Sequence, residues 1–315
     1  MAAESVEIAP LPPPTRAQQT LRNAGWTALA LSSLLLFTIV KLPEARIKAY
    51  VQGAIASQLA SRGITFTAQK GHLSLGFGFS YVMEDITLGF PPPDAPVHID
   101  EASFKPSLMG LLFRRVGGDA AIYNGDGKIT LSFSNKDTWN SLSFKARDLD
   151  LGKLGILPTL AGVAGSGMIN GSGWYEGDPT NFAASKGALD ITLKKIVIEE
   201  QPLMGFSLPR LSVSEGKIEL GIDSGKLKIQ TFTLGKPGKS DDIVATLSGD
   251  VTLGKFMEQS PLNLKAKFSL SQSILKSFSI LDAFLGAAKQ ADGSFAYNLS
   301  GTMGSPLPQP SGVTK

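Results

Sequence analysis

The most regular hydrophobic pattern in the chain is an alternation of apolar and polar residues that begins at Ile64. Its clearest example is the segment 262–270, in which every second residue is apolar. Those residues are Leu262, Leu264, Ala266, Phe268 and Leu270. Side chains on a β-strand point alternately to two faces, so a period of two predicts strands with one apolar and one polar face. Such strands are typical of antiparallel sheets.

The same alternation recurs in ten further segments, many of which begin just after a glycine. They are residues 64–69, 120–123, 128–134, 141–147, 188–198, 211–213, 218–222, 227–234, 243–253 and 295–299. Residues 124–127, Asn-Gly-Asp-Gly, supply a hairpin turn. The chain is therefore predicted to be mainly β, with a long, curved antiparallel sheet over residues 64–304. The glycine spacing is too irregular for a strict repeat, and the proline-rich residues 305–315 predict a flexible tail.

Three segments interrupt this pattern with the spacing of short helices: 106–113, 151–160 and 273–290. The last is the longest and carries Ile274, Phe278, Leu281 and Leu285 on one face. We expect it to plug one end of the sheet or to cover its apolar face.

An uncharged hydrophobic stretch, residues 23–40, lies between Arg22 and Lys41. At about 1.5 Å of helix rise per residue it reaches about 27 Å, close to the hydrocarbon thickness of a bilayer. It predicts a single transmembrane anchor that follows a proline-rich tail over residues 1–22. A buried core helix would show a polar face. A cleaved signal peptide would be followed by a small-x-small site, but the next residues are Lys-Leu-Pro-Glu-Ala-Arg.

The charged residues around the anchor do not fix its orientation. Arg16 and Arg22 precede it, and Lys41, Arg46 and Lys48 follow it. A long domain crosses a membrane largely regardless of charge. The absence of cysteine is compatible with an oxidising compartment outside the cytoplasm. We therefore expect the bulk of the chain outside the cytoplasm and the tail inside it.

Residues 41–63 predict an amphipathic helix, because apolar residues recur there at every fourth position. They are Ile47, Val51, Ile55 and Leu59. The helix could lie on the membrane surface or cap the sheet that follows. We favour capping, since the apolar stripe contains no aromatic residue.

The remaining composition points away from several classes of function. A net charge of +3 with dispersed Lys and Arg gives no basis for nucleic-acid binding. The two histidines, His72 and His98, have no partners at metal-ligand spacing and are expected to face solvent. Glu199-Glu200 and Asp241-Asp242 lie at strand ends, where we expect solvated charges and no calcium site. We therefore predict no enzyme, with no catalytic residue, no cofactor and no metal.

A cluster of five glycines could suggest a dinucleotide-binding loop. It consists of Gly162, Gly165, Gly167, Gly171 and Gly173. The cluster lacks the strand-then-helix context of such a loop, so we expect a flexible turn.

The chain is predicted to contain an anchor, an amphipathic helix and then strands with one apolar face, which end in residues 291–303 (Ala-Asp-Gly-Ser-Phe-Ala-Tyr-Asn-Leu-Ser-Gly-Thr-Met). This order resembles protein N of the bacterial type II secretion system. Residues 99–112, a strand followed by a short helix, are similar to the broader AsmA-like group of envelope proteins. The resemblance implies a periplasmic structural or interaction component of the secretion system, anchored in the cell inner membrane, with other secretion subunits as its partners.

The AsmA-like resemblance implies an alternative, an envelope protein that binds or transfers phospholipid through an apolar groove. An amphipathic sheet of this length must cover its apolar face with itself, a helix, a partner or lipid. An open groove and a closed dry core are both possible at this point. The residues expected on this face are Leu142, Phe144, Leu262, Leu264, Phe268 and Leu270.

Overall fold

The structure of the chain is a computed structural model. It describes residues 26–27, 29–30, 33, 44–61, 63–76, 78–90, 96–107, 110, 115–136, 138–155, 157–158, 162–178, 181–203, 206–277 and 285–311. The chain divides into two compact units, Met1–Ala49 and Tyr50–Lys315, and every strand among the described residues lies in the second.

Strands dominate the second unit. Their bounds are β1 Thr65–Gly76, β2 Gly78–Gly89, β3 Val97–Pro106, β4 Val116–Asn124, β5 Gly127–Lys136, β6 Trp139–Asp150, β7 Gly165–Asp178, β8 Asn181–Ile198, β9 Gln201–Leu203, β10 Phe206–Leu208, β11 Leu211–Asp223, β12 Lys226–Leu234, β13 Ile243–Thr252, β14 Leu262–Leu270, β15 Phe295–Thr302 and β16 Ser305–Pro310. Fourteen of them form one antiparallel sheet whose spatial order follows the chain, while β9 and β10 form a separate pair. The predicted mainly β fold with a large antiparallel sheet is confirmed.

The strand bounds agree with the sequence where the alternation is strict, as in β14, which begins and ends at the predicted residues. The predicted end of the sheet at residue 304 is wrong, because residues 305–310 form β16 and pair with β15. Proline is compatible with a strand at the edge of a sheet, where its missing N–H can face away from the neighbouring strand. The expected flexible tail therefore does not begin at residue 305.

The helices are few and mostly short. They are α1 Glu44–Ala60, α2 Leu151–Leu154 and α3 Gln272–Ser277, with 3₁₀ turns at Met257–Gln259 and Gly286–Ala288. Helix α1 lies within the predicted segment 41–63, and its apolar stripe is half-buried. Gln52 donates a hydrogen bond from Nε2 to the carbonyl oxygen of Ala68 in β1, at 3.3 Å. The helix thus contacts the first strand of the sheet.

The two shorter helices begin where two of the predicted helical interruptions were expected. Asp150 caps α2 by accepting hydrogen bonds from the backbone N–H groups of Gly152 and Lys153, and Leu151 and Leu154 are buried. Helix α3 starts one residue before the predicted segment 273–290, and Ile274 is buried.

The predicted anchor, residues 23–40, lies outside the described residues except at positions 26–27, 29–30 and 33. Among the residues that the structure describes, no helix combines the length and the hydrophobicity needed to span a bilayer.

Candidate functional site

A single row of directly opposed residues crosses all fourteen strands of the sheet, with one residue from each strand. In spatial order they are Leu73, Tyr81, Phe104, Ala120, Leu131, Phe144, Gly173, Leu189, Leu220, Ile229, Gly249, Leu264, Leu299 and Pro308. None is charged. Directly opposed residues share a face, so this row forms a continuous apolar strip. At about 4.8 Å between neighbouring strands, the strip follows the sheet for about 60 Å.

The six residues predicted for the apolar face share one face of the sheet. Phe144 and Leu264 belong to the apolar strip. Leu142 and Leu262 are joined by the next row, which passes through Tyr175, Gly187, Ile222, Leu227 and Val251. Phe268 and Leu270 follow Leu264 at alternate positions of β14.

The apolar face is open in the middle of the sheet. Phe133 and Leu142 lie opposite each other on β5 and β6, and their exposed fractions are 37% and 43%. Side chains of this type are mostly buried in a closed core. This part of the face therefore forms an open groove.

Towards the last strands the same face is closed. Leu264 is buried in a cluster with Ile229 and Val251. Phe295 is fully buried, and its ring centre lies 5.5 Å from that of Phe268. The groove and the dry core that the sequence left as alternatives are thus both present, at different positions along one sheet.

A cavity of about 210 Å³ occupies the open part of the face, lined by Leu142 and Phe144 of β6, Leu189 of β8, and Leu220, Ile222 and Leu227 of β11 and β12, among others. Strands β6 and β12 are four interstrand steps apart, which corresponds to about 19 Å in a flat sheet. Because residues of both strands line one small cavity, the sheet curves around it.

Glycine in β7 allows this curvature to bring an aromatic ring close to the backbone. Phe144 lies opposite Gly173, and a Cβ atom at position 173 would lie 2.6 Å from Cε1 of the ring. Any other residue at this position would collide with Phe144. The expectation that residues 165–173 form a flexible turn is therefore wrong, since they belong to β7, and Gly173 lies on the apolar face opposite Phe144.

Two tyrosines place hydroxyl groups near this face in different surroundings. Tyr81 is 4% exposed, and its hydroxyl has no hydrogen-bond partner among the described residues. Burial raises the pKa of Tyr81 above its ordinary value. The hydroxyl of Tyr175 instead lies 2.8 Å from Oγ of Ser185, which is fully buried.

The opposite face is polar but carries an exposed aromatic residue. Trp174 of β7 lies between Ser143 and Ala188 of the neighbouring strands, and 45% of its surface is exposed. Trp139, at the start of β6, is 44% exposed.

The histidines lie where the sequence predicted, on exposed positions of β1 and β3. His72 Nδ1 is 3.9 Å from Glu84, and His98 Nδ1 is 3.2 Å from Oγ1 of Thr87. Across the described part of the chain, no three His, Asp or Glu side chains are grouped so that they could hold a metal ion.

The acidic pair Asp241-Asp242 differs from the sequence expectation of a solvated pair. Both side chains are half-buried. Asp241 accepts hydrogen bonds from the backbone N–H and hydroxyl of Ser214 and from the N–H of Lys236, at 2.7–2.8 Å. Asp242 accepts from Ser212 and Ser271. Together these bonds tie β11 to the segment before β13 and to the end of β14.

The pKa values of this pair reflect two opposing effects. Burial alone raises the pKa of both carboxyls, but the hydrogen bonds outweigh it and hold each pKa below its ordinary value. The acidic pair is thus a structural clamp. Sequence spacing could not reveal it, because Ser214 and Asp241 are 27 residues apart.

Comparison of the chain with protein-family models, with curated proteins and with solved structures finds no match. The resemblance to the type II secretion protein N family and to the AsmA-like group therefore stays a prediction.

Proposed function

We infer that this protein is a membrane-anchored envelope protein whose apolar face binds the acyl chains of phospholipids. The observation that carries this proposal is the apolar strip, which is continuous across fourteen strands, together with the exposed Phe133 and Leu142 in the row beside it. Exposed apolar side chains that lie together are unfavourable in water, so the open part of the face calls for an apolar occupant. The proposal places the predicted anchor in the inner membrane and the sheet in the periplasm.

Acyl chains suit the open part of the face in shape and chemistry. The strip is narrow and long, it carries no charge, and its cavity of about 210 Å³ has room for several methylene groups. Each buried methylene contributes about 0.8 kcal/mol. A few methylenes therefore supply enough free energy for reversible binding.

A role as a structural or interaction component of the type II secretion system is the second candidate. The specific observation in its favour is the pair of exposed tryptophans, Trp139 and Trp174, since Trp is enriched in protein interfaces. Trp139 does not line the cavity, so contact with another subunit at Trp139 would leave the groove accessible. No catalytic role is proposed.

The test is to purify the full chain from membranes in mild detergent and to identify bound molecules by mass spectrometry. Lipid binding predicts phospholipid in a fixed molar ratio that persists through washing with lipid-free detergent. Folded protein without phospholipid would contradict it. Co-isolated secretion subunits would support the second candidate, and their absence would count against it.

A further inference from the structure

The polar face of the large sheet contains a cavity of about 280 Å³ beside an exposed tryptophan. Trp174 of β7 lines this cavity, and 45% of its surface is exposed. The residues aligned with Trp174 on the next two strands, β8 and β11, are Ala188 and Gly221. Because both are small, no bulky side chain at these positions covers the indole ring. The space beside the ring is therefore open to a ligand.

The far side of this cavity is lined by Gln230 of β12. The register between β11 and β12 shifts after Glu219, which leaves Gln230 without a directly opposed residue on β11. Its Nε2 atom lies 2.8 Å from the position that a Cβ atom at Gly221 would occupy. The bulge thus places an amide group over the backbone of Gly221, at the edge of the cavity.

Two carboxylates, Asp190 and Glu219, also line the cavity. They are directly opposed on β8 and β11, an arrangement that is unfavourable for folding because like charges repel. Lys217 offsets part of this repulsion, with its Nζ atom 2.6 Å from Oε1 of Glu219. The hydrogen bond from Lys217 holds the pKa of Glu219 below its ordinary value. At neutral pH the cavity therefore offers carboxylate oxygens that only accept hydrogen bonds.

A second polar cavity, of about 420 Å³, lies on the other side of Trp174. Four serines of β5 and β6 line it in two directly opposed pairs, Ser132 with Ser143 and Ser134 with Ser141. Ser143 is also directly opposed to Trp174. We call the two cavities and the tryptophan between them the Trp174 cleft. From β5 to β12 it crosses five interstrand steps, or about 24 Å.

This combination of groups suits a carbohydrate. A sugar ring has C–H groups on its faces and hydroxyl groups around its edge. The indole of Trp174 offers an apolar surface for a ring face. Carboxylate, amide and serine oxygens accept hydrogen bonds from the hydroxyl groups, and the amide and serine hydroxyls can also donate.

Other ligand classes fit the Trp174 cleft less well. The carboxylates of Asp190 and Glu219 repel phosphates and acidic sugars. The centre of a protein interface is enriched in apolar side chains, whereas the residues around Trp174 are small or polar. A neutral sugar needs only one aromatic surface and several hydrogen-bonding groups.

We propose that the Trp174 cleft binds a neutral oligosaccharide, with one sugar ring stacked on Trp174 and the adjoining rings in the two polar cavities. The proposal goes beyond lipid binding and does not depend on it, because the Trp174 cleft uses the polar face of the sheet. It concerns binding alone. Glycoside hydrolysis needs a carboxylic acid with a raised pKa as its proton donor, and the pKa of Glu219 is lowered instead.

The test is calorimetric titration of the full chain with three neutral hexasaccharides: cellohexaose, chitohexaose and maltohexaose. The protein is kept in a detergent without a sugar headgroup, since a glycoside detergent would compete. We expect saturable binding of at least one probe and weaker binding of an acidic hexasaccharide, hexagalacturonate. No binding of any neutral probe at millimolar concentration would overturn the proposal, and so would tighter binding of hexagalacturonate.

Two variants locate the site. Trp174→Ala should weaken binding by about tenfold, because it removes the central aromatic contact. Ala188→Leu fills the space beside the indole while it keeps Trp174, and should weaken binding to a similar degree. It also serves if Trp174→Ala folds poorly. Undiminished binding in Ala188→Leu would contradict the site even if Trp174→Ala could not be measured.

Trp139→Ala is the matched control, since Trp139 is 44% exposed and lines neither cavity. It should bind the probe as the unmodified protein does, and an equal loss in Trp139→Ala and Trp174→Ala would overturn the proposal. Leu142→Ser, on the apolar face, should also leave sugar binding unchanged, which separates this site from lipid binding. A co-isolated protein that Trp174→Ala loses, without any sugar binding, would identify a protein interface instead.

Discussion

Ala146 and Leu149 pack in one buried cluster on the apolar side of β6. Residues three apart on a regular strand would face opposite sides. Between them Asp148 has φ of 49°, in the left-handed region, and the register with β7 shifts at this point. The strand thereby gains one residue without losing its apolar face, as expected for a β-bulge. Similarly, Asp85 lies between Met83 and Ile86, and Lys195 lies between Leu193 and Ile196.

The left-handed conformation of Asp148 predicts a specific sensitivity to β-branched residues. Asp148→Val should lower the free energy of unfolding by about 1–2 kcal/mol, because a left-handed conformation is strained for any residue with a bulky Cβ. The Asp148 side chain is exposed, so no burial is lost. Urea denaturation of the purified protein measures the change.

Arg147→Val is the matched control, since Arg147 is an exposed neighbour in the same strand without a positive φ. Its effect should stay within about 0.5 kcal/mol. Equal losses of stability at both positions would show that the left-handed conformation does not determine how well residue 148 tolerates valine.

The two tyrosines near the apolar face should respond oppositely to the loss of their hydroxyls. Tyr81→Phe removes a buried hydroxyl that has no partner among the described residues, and should raise the free energy of unfolding by about 1 kcal/mol. Tyr175→Phe deprives the buried Ser185 of its hydrogen bond and should lower it by about 1–2 kcal/mol.

Both changes leave the aromatic ring in place, so each variant is the control for the other. Thermal or urea unfolding under identical conditions would measure the difference. A loss of stability in Tyr81→Phe as large as that in Tyr175→Phe would mean that the hydroxyl of Tyr81 is satisfied in solution.

Strict alternation made most of the sheet predictable, because burial of one face forces a period of two on the side chains. Strand β14 and the hairpin turn at residues 124–127 follow this rule and agree with the sequence prediction. The prediction failed where another property controls the local structure. In residues 165–173, the glycines at 165, 167, 171 and 173 have no side chains that could reveal which face of a strand they occupy. The prolines of β16 are compatible with a strand only because β16 lies at an edge of the sheet.

The candidate site was predictable to a similar degree. Alternation alone placed Leu142, Leu264 and Phe268 on one face, as the structure does. It could not show that Leu142 is open while Leu264 is buried, because that difference depends on how the strands curve after pairing. The hydrogen bonds of Asp241 to Ser214 were also missed, since they join strand ends that only the sheet topology brings together.

Lipid binding at the open groove predicts a difference between two exposed residues on opposite faces. Leu142→Ser should reduce the phospholipid that copurifies with the full chain at least several-fold, because it places a hydroxyl in the apolar cavity. Leu142 is 43% exposed, so the loss of stability should be below about 1 kcal/mol. Lipid phosphorus per mole of protein is the measurement.

Trp139→Ser is the control for this experiment, because Trp139 has nearly the same exposure, 44%, and does not line the cavity. It should leave the lipid content unchanged. Leu264→Ser should instead lower the free energy of unfolding by about 3 kcal/mol, as expected for a buried core residue. Retention of lipid in Leu142→Ser, or equal losses in Leu142→Ser and Trp139→Ser, would contradict binding at the groove.

The clamp formed by Asp241 predicts how stability depends on pH. Burial raises the pKa of Asp241, but the hydrogen bonds from Ser214 and Lys236 outweigh it, so the folded pKa lies below that of the unfolded chain. Its contribution to stability is therefore complete above about pH 5 and is lost as the pH falls through the folded pKa. Asp241→Asn should lower the free energy of unfolding by about 1–3 kcal/mol near pH 7. Below about pH 5 the stability of this variant should depend less on pH than that of the unmodified protein.

Urea unfolding at several pH values measures both effects. The control is Glu200→Gln, at an exposed position, whose free energy of unfolding should stay within about 0.5 kcal/mol of the unmodified protein at neutral pH. If Asp241→Asn and the unmodified protein lose stability in parallel on acidification, the clamp is not a source of the acid sensitivity.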